Sequence, residues 1–178
     1  MLIKHANWRR EHDVENITLE DIELEAKKDY VIPRGTAKCG RPAFWVCVKR
    51  HDKNTRDLDV LYKFIVYNVE RTMSRCTLDM DERFVLIFDL RAFSMKNMDY
   101  QGVKVLVSIL QTNYPEVLDR AIIVDSPFIF SACWAIIRPW LDPVTADKVQ
   151  FTNYDGVKEY IEQSEWPDEY KNYSESEE

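Results

Sequence analysis

Residues 127–145 read PFIFSACWAIIRPWLDPVT, and in the first fifteen of them only Arg138 is charged. Phe128, Ile129, Phe130, Trp134, Ile136, Ile137, Trp140 and Leu141 fall on every side of a helix built from 127–141, whereas a surface helix gathers its apolar residues into one stripe. Fifteen residues at 1.5 Å each reach about 22 Å, short of the roughly 30 Å core of a bilayer. Such a helix has to bury a second face. It is either enclosed in a core or placed between an internal apolar space and a membrane surface, where its tryptophans suit an interface. Asp142-Pro143 ends it, because proline cannot continue a helix and restricts the residue before it.

The flanking sequence is punctuated by short apolar runs. AIIVD (121–125) precedes the helix and KVQFT (148–152) follows it; upstream stand AFWVCVK (43–49) and FVLIFDL (84–90). These runs are apolar on both faces, as covered strands require. Between them, Asp57 caps a helix predicted over 58–75, with Leu58, Leu61, Phe64, Ile65 and Val69 at helical spacing. Val103, Leu106, Val107 and Leu110 mark another from Asp99 to Thr112. Helices are also expected at 1–13, at 18–29, where Thr18 and Asp21 form a variant capping box, and near 155–163; a charged turn is expected at 79–83. Alternating strands and helices predict an α/β fold with a mostly parallel sheet covered by helices.

The chain carries a net charge of −7, but residues 165–178 hold six acids and one base, so the remainder carries −2 and offers no basic face for nucleic acid. The four glycines, Gly35, Gly40, Gly102 and Gly156, form no phosphate-cradling loop, and neither a GxSxG elbow nor a CX5R loop is present. Cys39, Cys47, Cys76 and Cys133 lack metal or disulfide-scaffold spacing and are expected as reduced core thiols. His5, His12 and His51 make no metal motif and are expected on the surface. No cofactor, metal or catalytic residue is expected. The first residues turn charged without building an apolar signal segment, so a cytoplasmic protein is expected.

Tyr114-Pro115-Glu116, Pro127-Phe128-Ile129-Phe130 and Ile137 through Thr145 (IRPWLDPVT) resemble, in that order, the CRAL-TRIO family, which includes the Sec fourteen-type lipid transfer proteins. Gly40-Arg41-Pro42, Asp89-Leu90 and Trp8-Arg9 add to the resemblance, which covers roughly 40–165. It implies a mostly parallel sheet forming the floor of an apolar lipid pocket, closed by a mobile gate helix, with a single bound lipid and no chemistry performed. The gate would be 127–141, with Phe128, Phe130, Trp134, Trp140 and Leu141. The family pattern turns Phe84, Leu86 and Phe88 toward the ligand, joined by Ile123, Trp134, Ile137, Val149 and Phe151. Glu116 and Lys148 match positions that in phosphatidylinositol-transfer members contact the inositol phosphate headgroup, which makes phosphatidylinositol the leading ligand; a plain ion pair or two solvated charges is the other reading. Val117, where arginine is common, and Phe84 and Leu86, where phosphatidylcholine binders carry hydroxyls, depart from the pattern.

The expected division is an N-terminal helical remnant and connector (1–38), the lipid-binding domain (39–165) and an acidic disordered tail (166–178). Expected partners are a phospholipid or other hydrophobic small molecule, a transiently contacted membrane surface and a protein at membranes. The alternative is a non-catalytic scaffold of the same fold that binds a small GTPase or a membrane protein. An enzyme on a flavodoxin-like sheet is a further alternative, which lacks a nucleophile or cofactor loop.

Overall fold

The two-sided apolar runs form the centre of the molecule, which was analysed as a computed structural model describing residues 2–77 and 81–171. Strands β1 (Val31–Ile32), β2 (Ala43–Cys47), β3 (Phe84–Asp89), β4 (Leu118–Val124) and β5 (Val149–Thr152) make one sheet in the order β1-β2-β3-β4-β5. β2 to β5 are parallel, and β1, too short to be seen in the sequence, adds antiparallel to β2. Because each parallel strand lies beside its predecessor in sequence, right-handed crossovers place every connecting helix on the same face. That face carries α3 (Leu58–Met73), α4 (Tyr100–Ser108, continued by a π turn over Ile109–Asn113), α5 (Phe130–Ile137) and α6 (Pro143–Asp147). Asp57 caps α3 through the N–H groups of Asp59 and Val60, and Asp99 caps α4 through that of Gly102.

The opposite face needs a separate cover, which the C-terminal segment supplies. Trp45, Val85, Ile87, Ile122 and Val124 project there against Tyr154, Val157, Ile161, Trp166 and Tyr170. Trp45 stacks on Tyr170 with ring centroids 4.9 Å apart and meets Trp166 at 5.7 Å. This corrects the expectation of a tail from 166. Trp166 and Tyr170 are fully buried, and α8 (Asp168–Lys171) is pinned by Asp168 to Arg34 and by Glu169 to Arg50. Gly35, at φ 97°, lies so close to the same segment that a Cβ would sit 2.8 Å from the Glu165 carbonyl oxygen.

Three predicted helices are shorter than expected. The Thr18–Asp21 box forms, with Asp21 Oδ2 accepting from the Thr18 N–H and hydroxyl, but regular helix is limited to α2 (Glu23–Ala26), because the chain turns to bury Ile22 and Glu25. Residues 155–163 contribute only α7 (Tyr154–Val157). α5 stops at Ile137 and passes into a 3₁₀ turn over Arg138–Trp140, since Pro139 has no N–H to continue the ladder. The N-terminal helix α1 (Leu2–Glu11) is tied down by Trp8 Nε1, which donates to Tyr62 Oη at 2.6 Å, and by Arg9, which grips both oxygens of Glu70. The expected turn at 79–83 lies partly, and the tail beyond 171 wholly, outside the described residues.

Candidate functional site

Between the helical face of the sheet and its helices lies a cavity of about 230 Å³. Parallel register builds its floor in two rows across the strands: Phe44–Leu86–Ala121–Val149 and Val46–Phe88–Ile123–Phe151. All of these border the cavity except Phe151. α3 supplies Leu61, Phe64, Ile65 and Asn68, an i, i+3, i+4, i+7 stripe. α4 and its π turn supply Gly102, Val103, Leu106, Val107, Leu110 and Gln111. Phe130, Trp134 and Ile137 of α5 close the remaining side.

Of the eight proposed pocket residues, Leu86, Phe88, Ile123, Trp134, Ile137 and Val149 border this cavity. Phe84 does not; it is fully buried beyond the end of the floor, its ring 5.2 Å from that of Phe44. Phe151 also lies outside the lining, half-exposed on the edge strand, where it meets the outer side of Trp134 edge-on at 5.3 Å. The expected gate residues divide between two surroundings. Phe130 is buried, Trp134, Trp140 and Leu141 are partly buried, and Phe128 is 94% exposed. Ile129, Ile136 and Val144 are exposed as well. Thus α5 is apolar toward the cavity and apolar toward the outside.

Side-chain contacts fasten this unit to α4 and its π turn, Tyr100 with Cys133 among them. Gln111 Nε2 donates to Asp142 Oδ2 at 3.0 Å, the Trp140 ring meets Tyr100 edge-on at 6.0 Å, and Lys104 Nζ lies 4.8 Å above the Trp140 ring. Asp142 also caps α6 through the Thr145 N–H and hydroxyl; these bonds and that from Gln111 hold its carboxyl below the usual range.

Glu116 and Lys148 lie at the starts of β4 and β5, outside the cavity lining, with Lys148 Nζ 3.4 Å from Glu116 Oε2. Lys148 is largely covered and Glu116 is exposed, with φ at 68°. The geometry is that of an ion pair.

A polar group at the opposite end of the cavity is invisible in the sequence. His51, expected on the surface, is nearly buried, with Nε2 3.1 Å from Asp99 Oδ2. Arg56 donates to both Asp99 oxygens at 2.7 and 3.1 Å. Burial pushes the Asp99 carboxyl up, but the bonds from Arg56, the Gly102 N–H and His51 outweigh it and hold the pKa at about 2. Asn68, Gln111 and Thr145 are further lining residues that sequence reasoning passed over. Asn68 alone carried a signal, an amide on the apolar stripe of α3.

A family model described as the CRAL/TRIO domain matches residues 26–171. The chain belongs to the CRAL/TRIO family. The match starts before and ends after the 39–165 expected for the domain, and it takes in Trp166 and Tyr170. A CRAL-TRIO domain-containing protein of Schizosaccharomyces pombe is 31% identical over 171 residues, covering 90% of this chain and 38% of that protein. A phosphatidylinositol transfer protein, CSR1 of Eremothecium gossypii, is 49% identical over 67 residues, 38% of this chain and 15% of that protein. The chain therefore spans well under half the length of these curated relatives. The crystal structure of Sfh5 superposes with a TM-score of 0.72 at 21% identity, covering 85% of this chain and 58% of that one, and shares the fold.

Proposed function

We propose that this chain holds one lipid in the cavity beneath α5 and exchanges it at a membrane surface, with phosphatidylinositol the leading ligand. The observation that carries the reading is α5 with the turn that leads into it, apolar on the cavity side through Phe130, Trp134 and Ile137 and on the outer side through Phe128, Ile129 and Ile136. An outward apolar face costs free energy in water and gains it at a bilayer. The cavity, about 230 Å³, compares with the roughly 150 Å³ that admits a benzene. A two-chain lipid therefore enters with α5 displaced, and the contacts of Gln111, Tyr100 and Lys104 are the ones that must part. Burial of an acyl chain, at about 0.8 kcal/mol per CH₂, supplies the driving force. The similarity to a named phosphatidylinositol transfer protein supports the choice of ligand, as does Lys148, which can exchange Glu116 for a phosphate at the edge of the sheet. No catalytic step is assigned to any residue.

The test is transfer of fluorescent phosphatidylinositol between vesicles by wild type and by Trp134→Asp. The variant places a carboxylate in the cavity wall and should abolish both transfer and co-purified lipid while keeping the far-ultraviolet circular dichroism of the fold. Unchanged lipid content in the folded variant would overturn the assignment. The scaffold reading remains the alternative, and it predicts an empty cavity together with intact partner binding in the same variant.

A further inference from the structure

Besides Trp134 and Tyr30, whose hydroxyl donates to Glu25, the polar side chains that border the cavity are His51, Asn68, Asn97, Asp99, Gln111 and Thr145. Five of them are committed elsewhere. Asp99 is bonded to Arg56, His51 and the Gly102 N–H. Asn97 donates to the carbonyls of Lys49 and His51 and accepts from Ser94. Gln111 and Thr145 donate to Asp142 at the exposed rim. His51 Nε2 meets Asp99, and its Nδ1 is sealed off without a partner.

Asn68 is different. Its Nδ2 donates to the Phe64 carbonyl at 2.8 Å, and its Oδ1 accepts no hydrogen bond among the described residues, although the residue is only 6% exposed. Because the Phe64 carbonyl is an acceptor, the nitrogen has to be the end that faces it, so the amide cannot be turned round. A carbonyl oxygen on so buried a residue, beside a mainly apolar lining, is an acceptor open to a donor. The lining contains no Lys or Arg among the described residues, so a phosphate has no counter-charge inside. The matching group is an uncharged hydroxyl.

We propose that Asn68 is a specificity residue of the cavity, whose Oδ1 accepts a hydrogen bond from an uncharged hydroxyl on the buried part of the ligand. The proposal rests on the cavity being a lipid site, and it does not require phosphatidylinositol to be the occupant.

The experiment uses the full chain loaded with cis-parinaric acid, displaced by farnesol or by farnesyl methyl ether, which keeps the chain and the oxygen but lacks the donor. The wild type should bind the alcohol about tenfold more tightly than the ether. Asn68→Leu, of the same branched shape but without the acceptor, should bind both alike. Equal affinities in the wild type would overturn the proposal, whatever the variant does, and so would a preference that survives in Asn68→Leu. Failure of the wild type to bind cis-parinaric acid at all would overturn the lipid-site reading itself, a result distinct from loss of the alcohol preference alone.

Discussion

At Asp99 burial and hydrogen bonding oppose each other, and hydrogen bonding prevails. The folded-state pKa of about 2 lies below the ordinary 3.8, so the stability the carboxylate contributes is complete above about pH 4 and is lost as the pH falls toward 2. Holding the carboxyl that far below its ordinary value corresponds to about 2 kcal/mol. Urea unfolding at pH 7 and at pH 3 should therefore show a steeper acid loss in the wild type than in Asp99→Asn, and equal losses would contradict the assignment. Lys148 gives a second test at this scale. Lys148→Ala should lower transfer of phosphatidylinositol several-fold more than transfer of an uncharged lipid, whereas equal losses would mean that the lysine only holds Glu116. The sequence offered Asp99 as a helix start but not as the partner of His51 and Arg56, which lie 48 and 43 residues away. Pairings at that separation leave no local pattern, so His51 looked like a surface residue.

At the scale of elements, α5 and α6 form a unit held to α4 and its π turn by the Gln111–Asp142 hydrogen bond, by the cluster of Trp140 with Tyr100 and Lys104 and by the contact of Tyr100 with Cys133. A single hydrogen bond is worth about 1 kcal/mol net, or roughly fivefold in an equilibrium. Gln111→Ala should therefore speed lipid exchange by a few-fold without lowering the amount bound; stopped-flow release of a fluorescent lipid measures this, and an unchanged or slower rate would show that the contact does not restrain the unit. The composition of 127–141 made the unusual character of this segment readable, since apolar residues on all sides demand two apolar neighbours. Its length was not readable to the same degree, because Pro139 converts the last turn to 3₁₀. The α3 and α4 stripes were equally visible, but a cavity wall and a core layer share one composition, and only the assembled geometry separates Leu61 or Leu106 from ordinary core.

Across the whole molecule, the strand order explains why the cavity and the C-terminal seal occupy opposite faces. Helices crowd one side, and the chain after β5 seals the other with Trp166 and Tyr170 stacked about Trp45. The strands could be read because covered parallel strands are apolar on both faces. The seal could not, because the acids around Trp166 and Tyr170 dominate the composition; the aromatic pair four residues apart was the signal that pointed inward. Trp166→Ala should cost about 3–5 kcal/mol, a large share of the stability of a domain of this size, and a near-neutral unfolding midpoint would refute the role given to this face. The central claim is that the opposite face encloses one lipid. Native mass spectrometry of the purified full chain, followed by organic extraction, tests it most directly. The account predicts one lipid-sized adduct per chain that is absent from Trp134→Asp; a chain that stays at its bare mass even after incubation with lipid vesicles would contradict it.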